Sequence, residues 1–316
     1  MAIASARSAR VACDTIHPSA VNNDRKETNL MCGIAGYCLD PKHYARVSVS
    51  DLAGQMLYDI EHRGTHATGS AWINPKTGKR VISKAPVSAS KFVPKAGKTL
   101  CAGASTAILH TRYATQGSPT IAGNNHPIPR GRIVLTHNGH INNDTELFKQ
   151  LGVPRVAQVD SEAVSALVAF SKRKPWEYLT EVHGTASLAW IEQGDSRTLH
   201  LARVNSSPLF IAQASTGSLF YGSTQETVEN GAIMTDCELD WIHEASEGEY
   251  FKVKDGRVTD YYTFTPTKYE PYSWYRSYAP AYQTDLDYYG SNYKSRRATK
   301  YADKWWEHYG DEAVDF

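Results

Sequence analysis

The feature that most constrains the fold is a long stretch of short apolar segments in the second half of the chain. Between residues 185 and 264, runs of apolar and β-branched residues alternate with Gly, Asn, Asp and Pro. This spacing is typical of antiparallel strands joined by tight turns. The predicted strands cover residues 185–192, 198–204, 209–212, 219–221, 249–253 and 257–264. The second half is therefore predicted to consist mainly of strands.

The first half mixes strands with helices. The sequence predicts strands over 33–39, 104–112 and 132–136, and a hairpin of strands 69–73 and 80–83. A helix is predicted over 51–60 with Ser50 or Asp51 as N-cap, and two more over 144–151, closed by Gly152, and 161–172. Helices grouped between many antiparallel strands predict an α+β fold, a four-layer αββα sandwich of two antiparallel sheets with the helices outside.

Composition excludes several classes of protein. The chain has 34 basic and 33 acidic side chains, a balance that gives no reason to expect nucleic acid as a partner. No apolar run approaches the length of about 18 residues that a membrane span needs. The five cysteines form no C-x-x-C pair and no metal-ligand spacing, so we expect reduced thiols, no metal and a cytoplasmic setting.

The two ends of the chain differ from its centre. Residues 1–31 are rich in Ala, Ser and Arg and contain no continuous apolar stretch, which argues against a secretory signal. They are predicted to be a leader, a propeptide, a transit peptide or the product of a misassigned start, with Met31 as the true start. Residues 265–316 hold ten of the nineteen tyrosines and few aliphatic residues. This stretch is predicted to be an extended tail or a docking segment for a partner.

Cys32, in the tetrapeptide Met31-Cys32-Gly33-Ile34, is the candidate nucleophile. A cysteine reacts as the thiolate, and an ordinary pKa of about 8.5 leaves little thiolate at pH 7. Removal of everything before Cys32 would free an α-amino group, whose pKa near 7.7–8.0 suits a general base. Taken alone, the tetrapeptide is more typical of a buried cysteine in a strand.

Further motifs follow Cys32 in a fixed order. They are Arg63-Gly64-Thr65-His66-Ala67-Thr68-Gly69, His110-Thr111-Arg112-Tyr113-Ala114-Thr115-Gln116-Gly117, Asn124-Asn125-His126-Pro127, His137-Asn138-Gly139 and Asp160-Ser161-Glu162. In this order they resemble the glutaminase domain of type 2 glutamine amidotransferases, the N-terminal-nucleophile kind found in glucosamine-6-phosphate synthase and amidophosphoribosyltransferase. The resemblance covers residues 32–253, and the predicted domain extends over residues 32–264.

The resemblance implies a role for each matching residue. Cys32 is the expected nucleophile, and Asn138 and Gly139 are the expected oxyanion hole. Arg112 is expected to bind the glutamine α-carboxylate, because a guanidinium suits a planar anion, and Asp160 the α-ammonium. Tyr113, Thr115, Gln116 and His137 complete the expected substrate contacts. We expect Arg63-Gly64 to shape the loop beside the nucleophile, with Gly64 and Gly69 present for backbone freedom.

The sequence departs from the family pattern at a few positions. Tyr113 stands where Trp is common, Gln116 replaces a histidine, and the loop at Thr65-His66 lacks the usual aspartate. Without a family context, Asn138-Gly139 would be interpreted as a hairpin turn that ends a strand, and Asp160 as a helix N-cap. Asp160 could also serve as cap and ligand together.

The expected activity is hydrolysis of free glutamine through a Cys32 thioester, with no cofactor, and transfer of the ammonia to an acceptor held by a separate synthase. Three alternatives stay open. One is a stand-alone amidase acting on another γ-carboxamide, and the second is a non-catalytic protein that keeps the fold. The third is an asparagine synthetase-like branch, which the His-Thr-Arg-Tyr-Ala-Thr and His-Asn-Gly strings disfavour.

Overall fold

A computed structural model describes residues 31–267 of the chain. Residues 1–30 and 268–316, which hold nearly all of the expected leader and tail, lie outside the described range. The strands are β1 (Gly33–Cys38), β2 (Ala67–Ile73), β3 (Arg80–Ala85), β4 (Thr106–Arg112), β5 (Ile128–Arg130), β6 (Ile133–Ile141), β7 (Gly184–Glu192), β8 (Asp195–Asn205), β9 (Phe210–Ala214), β10 (Leu219–Gly222), β11 (Leu239–Glu244), β12 (Glu249–Lys254) and β13 (Arg257–Thr263). The helices are α1 (Pro41–Tyr44), α2 (Val49–Glu61), α3 (Ala89–Ala96), α4 (Asp144–Leu151), α5 (Ser161–Phe170), α6 (Pro175–Tyr178) and α7 (Gln225–Met234).

Two sheets form the centre of the molecule. The first has the strand order β11-β9-β10-β1-β4-β2-β3, and the second has the order β13-β12-β8-β7-β6-β5. Neighbouring strands in both sheets run antiparallel. Strand β1 lies in the middle of the first sheet, where Gly33 pairs with Thr111 of β4. The residue before β1 is therefore held opposite the C-terminal end of β4.

Three apolar layers hold the sheets and helices together. Side chains such as Ile34, Ile108 and Val134 pack between the two sheets. The outer face of the first sheet packs against α2, α3 and α7, and that of the second packs against α4, α5 and α6. Each fully buried aliphatic side chain contributes roughly 1.5–3 kcal/mol, so the three layers supply most of the stabilisation. The order helix, sheet, sheet, helix confirms the predicted αββα sandwich.

Several predicted boundaries are wrong. Helix α2 begins two residues before the predicted start, with Ser48 rather than Ser50 or Asp51 at the N-cap position. Strand β6 continues through Asn138 and Gly139 to Ile141, so these two residues do not form a hairpin turn. Asp160 stands at the N-cap position of α5, but its side chain makes no capping hydrogen bond. Each of these residues is of a type that often forms caps or turns. Contacts with distant parts of the chain give Asn138, Gly139 and Asp160 other structural roles.

Four helices have no counterpart in the sequence prediction: the one-turn helices α1 and α6, and the longer α3 and α7. Helix α3 contains Pro94, and α7 contains Gly231, both of which lower the helix propensity of their segments. Thr224 caps α7 by accepting a hydrogen bond from the Thr227 backbone N–H at 3.3 Å. Helices α3 and α7 place their buried residues on the same apolar layer of the first sheet. Packing therefore supplies the stability that their sequences do not.

Candidate active site

Cys32 lies directly before β1, against the end of β4. Its Sγ is 3.5 Å from the Tyr113 carbonyl oxygen. Burial raises the pKa of Cys32 to about 11, opposed by the positive charges of Arg112 and Arg63 and reinforced by the Asp160 carboxylate. With this pKa the thiol is almost entirely protonated at neutral pH, so nucleophilic attack needs a base. The three charged groups that act on the thiol are among the residues that the motifs bring together.

The loop after α2 supports the nucleophile from one side. Arg63 Nε donates a hydrogen bond to the Cys32 carbonyl oxygen at 3.0 Å. A Cβ on Gly64 would lie 2.3 Å from the Arg112 carbonyl carbon and 2.5 Å from the Tyr113 nitrogen. Neither Gly64 nor Gly69 has a positive φ, so the expected backbone freedom is not their reason. Both glycines are needed because neighbouring backbone passes too close for a side chain.

His66 and Tyr113 form the next contact of this loop. Their rings stack with centroids 5.0 Å apart, and the Ala114 backbone N–H donates to His66 Nδ1 at 2.9 Å. The His66 backbone N–H donates to the Arg112 carbonyl at 3.0 Å. The His66 imidazole thus helps to hold the residues that follow β4.

Arg112 is buried and already engaged. Three of its N–H groups donate to Asn125 Oδ1 at 2.8 Å, the Gln116 carbonyl at 2.5 Å and the Gly117 carbonyl at 2.8 Å. A guanidinium carries five N–H groups, so at most two stay available for a carboxylate. Gln116 meets Arg112 through its backbone, and that contact does not depend on the identity of its side chain. Thr115, between Tyr113 and Gln116, is exposed.

Asp160 lies at the start of α5, against the end of β6. Its Oδ2 accepts a hydrogen bond from the Ile141 backbone N–H at 2.7 Å and lies 3.4 Å from His140 Nδ1. Its carboxylate and the Arg112 guanidinium influence each other electrostatically, and both act on the Cys32 thiol. The site therefore presents a cation and an anion beside one nucleophile.

Asn138 has an unusual environment for a buried amide. It is completely buried, yet neither Nδ2 nor Oδ1 has a hydrogen-bond partner among residues 31–267. Leaving such a group unpaired costs about 1–3 kcal/mol, so a buried amide of this kind calls for a partner. The next residue, Gly139, has φ +144°, and a Cβ there would lie 1.9 Å from the Thr185 carbonyl oxygen. Only glycine fits beside Asn138.

His137 belongs to a group of three buried histidines that joins the two sheets. Its Nδ1 lies 2.8 Å from Ser161 Oγ, and its carbonyl accepts a hydrogen bond from His110 Nε2 at 3.1 Å. His110 stacks on His126, with ring centroids 4.0 Å apart. Burial lowers the pKa of all three rings, in His110 to about 3. They are neutral at pH 7, so His137 serves this site as a hydrogen-bonding group rather than as a cation.

The sequence motifs identified the charged residues of the site, but they did not identify some of the residues that hold those charged side chains in place. Asn125, which binds Arg112, stood in a quoted motif and could have been singled out there. Lys84, which lies behind Asn125, gave no signal, because a lysine in a strand is usually a surface residue. Within the described range, no cluster of three or more His, Cys, Asp or Glu side chains could hold a metal ion. No helix of that range is long and apolar enough to cross a membrane.

Two antiparallel sheets between helices, with a cysteine at the start of a central strand, define the class of N-terminal-nucleophile hydrolases. Similar folds occur in two solved structures that each cover 75% of this chain and are 19% identical to it. One is the glutamine phosphoribosylpyrophosphate amidotransferase from B. subtilis in complex with ADP and GMP, with a TM-score of 0.59. The other is described as the allosteric regulatory enzyme of purine biosynthesis, with a TM-score of 0.58.

Sequence comparison identifies the family within this class. The family model of the glutamine amidotransferase domain matches residues 110–230. Glutamine–fructose-6-phosphate aminotransferase (isomerizing) of Caulobacter vibrioides is 32% identical over 203 residues, 61% of this chain and 32% of the relative. The same enzyme of Rhizobium meliloti is 31% identical over 246 residues, 73% of this chain and 38% of the relative. The chain carries an N-terminal-nucleophile glutaminase domain of the type 2 glutamine amidotransferase kind.

The chain spans about a third of the length of the curated relatives that it matches, 32% of the first and 30% of the second. The names of those relatives, with their reference to fructose-6-phosphate, therefore describe the relatives and not this chain.

Proposed function

We propose that this protein hydrolyses the side-chain amide of free glutamine at Cys32 and supplies the ammonia to an acceptor held by a separate protein. The observation that carries the proposal is the pair of opposite charges beside the thiol, Arg112 and Asp160, both of which influence the pKa of Cys32. A free amino acid presents a carboxylate and an ammonium on one carbon, and a peptide-bound glutamine presents neither. The pair therefore favours a free α-amino acid as substrate.

The reaction follows from these groups. The Cys32 sulfur bonds to the side-chain carbonyl carbon of glutamine, and its proton passes through a base to the departing nitrogen, so that ammonia leaves. Water then breaks the thioester, releasing glutamate and restoring the thiol. The unpartnered amide of Asn138 is suited to stabilise the negatively charged oxygen that forms in both steps. Gly139 is the proposed second donor, through its backbone N–H.

The base in this mechanism is the α-amino group of Cys32, which exists only when residues 1–31 are absent. The pKa of about 11 for the thiol in the chain with those residues attached makes a base necessary. We therefore propose that the active form begins at Cys32, and that residues 32–264 are the catalytic domain. Residues 265–316 are the proposed docking segment for the partner, and the cytoplasm is the proposed location.

The direct test is glutamate release from free glutamine by three forms of the protein. One is the full chain, one begins at Met31 with its N-terminal cysteine verified by mass, and one is the second form with Cys32→Ala. We expect activity only in the second form. Cys237→Ala, which removes a half-buried thiol elsewhere, is the matched control and should leave activity unchanged.

Covalent labelling by an electrophilic glutamine analogue tests the same nucleophile without requiring turnover. It should add to Cys32 and not to Cys237, and free glutamine should protect Cys32 from it. Silence of the verified N-terminal-cysteine form, together with no labelling of Cys32, would exclude glutaminase activity for this protein and leave a non-catalytic role. Equal turnover of glutamine and of a peptide-bound γ-carboxamide would instead identify a general amidase.

A further inference from the structure

Lys84, on the edge strand β3, holds a backbone segment that borders the glutaminase site. Its Nζ donates hydrogen bonds to the Asn125 carbonyl at 2.7 Å and the Pro127 carbonyl at 3.1 Å. These are the carbonyls of the residues before and after His126, so one ammonium group holds the backbone of segment 125–127 at two points. Burial of its ammonium, with Arg112 nearby, lowers the pKa of Lys84 to about 7. An ordinary surface lysine makes no such pair of contacts and loses no such hydration.

The segment that Lys84 holds is connected directly to the carboxylate-binding arginine. Asn125 is buried, its Oδ1 accepts the hydrogen bond from Arg112 Nη1 at 2.8 Å, and its Nδ2 donates to the Pro119 carbonyl at 2.6 Å. One asparagine thus joins Lys84 through its backbone, Arg112 through its amide oxygen and loop 113–119 through its amide nitrogen. A shift of segment 125–127 would move the acceptor that orients the guanidinium.

The neighbouring strand is shaped for this contact. Gly69 of β2 pairs with Lys84, and a Cβ on Gly69 would lie 2.2 Å from the His126 carbonyl oxygen and 2.9 Å from Lys84 Cβ. The missing side chain lets segment 125–127 lie directly on β2, within reach of the lysine. Gly69 and Lys84 together therefore allow segment 125–127 to pack closely against β2 and β3.

We infer that Lys84 is a positioning residue for glutamine recognition, holding Asn125 so that Arg112 is aimed at the substrate α-carboxylate. This inference rests on the proposed function of the site. The hydrogen bonds of Lys84 reach Arg112 through Asn125, and its ammonium also acts on Arg112 electrostatically, so its effect is on binding of the α-amino acid end rather than on the chemistry at the amide.

The test is the effect of Lys84→Met on KM and kcat for glutamine in the form that begins at Cys32. We expect KM to rise about tenfold with kcat changed less than threefold, since the lost interaction acts in binding. Lys84→Arg, which keeps the charge and the donors, should recover most of the loss. With the α-amide of glutamine, which lacks the carboxylate, Lys84→Met should have no effect on KM.

Arg80→Met is the matched control on the same strand, because Arg80 is a buried cation that donates to the Gly131 carbonyl at 2.9 Å. It should leave KM unchanged. An equal rise of KM in Arg80→Met, or no rise in Lys84→Met, would overturn the inference. If Lys84→Met does not fold, Lys84→Gln, which keeps a donor without the charge, is expected to raise KM in the same direction, and an unchanged KM there would count equally against it.

Calorimetric titration of glutamine into Cys32→Ala protein separates this inference from the proposed function. A dissociation constant about tenfold weaker with Lys84→Met supports the inference even without turnover. Binding of equal strength with and without Lys84 refutes it while leaving the glutaminase proposal intact. Absence of both glutamine binding and glutamate release in the parent protein refutes the two together.

Discussion

Asn138 has an environment that is unfavourable for folding and suited to the proposed oxyanion hole. Its amide is fully buried, and within the described part of the chain neither of its polar atoms is paired. Folding alone would favour an apolar residue here, since an unpaired buried amide is costly. The neighbouring Gly139, with a φ that L side chains rarely adopt, fixes the backbone at the same place. Local stability has been given up at the two positions proposed for the oxyanion hole.

Asn138→Ala is therefore expected to lower kcat for glutamate release by about 10²–10³, with KM changed less than threefold. The melting temperature should change little, because the lost amide has no protein partner among residues 31–267. Steady-state kinetics and thermal unfolding measure the two effects. Asn142→Ala, at an exposed position after β6, is the matched control and should behave as the parent protein. A large loss of stability with unchanged kcat would contradict the proposed role.

At the scale of elements, the sequence predicted those helices and strands whose ends and apolar patterns are determined by neighbouring residues. Helix α4 has the predicted bounds, because a first turn with Asp144 and Glu146 and a left-handed Gly152 mark its ends. The apolar strands β7, β8, β9, β10 and β12 were also found, because their side chains are mostly buried. The edge strand β11 was missed, because its residues are exposed or half-buried and give no apolar run. Helix α7 was missed because only its packing on the first sheet makes it stable.

The candidate site was predictable where its residues stand in motifs and unpredictable where they meet through space. Arg112, Asp160, Asn138 and Gly139 came from ordered motifs. The side-chain contact between Arg63 and the Cys32 carbonyl and the clasp of Lys84 on segment 125–127 join residues distant in sequence. A single sequence carries no signal for such contacts. Asp160 illustrates the limit, since its position predicts a cap and its carboxylate binds the end of β6 instead.

The turn between α2 and β2 is an element whose shape depends on one missing side chain. Gly64→Ala places a methyl group 2.3–2.6 Å from backbone atoms of Arg112 and Tyr113. We expect it to push the end of β4 away from Cys32, lowering kcat/KM about tenfold or more and reducing the melting temperature, which kinetics and thermal unfolding would measure. Gly123→Ala is the matched control, because its Cβ would meet nothing within 4 Å. If both variants behave alike, close approach at Gly64 is not what shapes the site.

At the scale of the whole molecule, the interface between the sheets contains polar groups as well as apolar ones. His110 on β4 of the first sheet donates to the carbonyl of His137 on β6 of the second. His126 stacks on His110, and its two ring nitrogens are unpartnered among the described residues. Because these rings are buried and neutral, the joint between the sheets is sensitive to acid.

The pH dependence of stability follows from these rings. The pKa of His110 in the folded protein is about 3, against about 6.5 when unfolded, so the unfolded chain binds more protons below pH 6.5. Stability from His110 is present above pH 6.5 and is lost as the pH falls, by about 2 kcal/mol between pH 7 and pH 5. His110→Gln, which keeps a donor for the His137 carbonyl, should reduce the fall by that amount in denaturant unfolding at the two pH values. A fall as steep as in the parent protein would refute this assignment.

The hold on Arg112 has a consequence for how this protein can change over evolutionary time. Two of its three contacts are backbone carbonyls, at Gln116 and Gly117, and every amino acid offers a carbonyl. The sequence of loop 113–119 can therefore change while its contacts with the arginine persist. Asn138 has no such latitude, because its proposed work is done by the side chain. A position such as Asn138, where the side chain itself is proposed to act, is therefore a better marker for recognising divergent members of the family than the amino-acid sequence of loop 113–119.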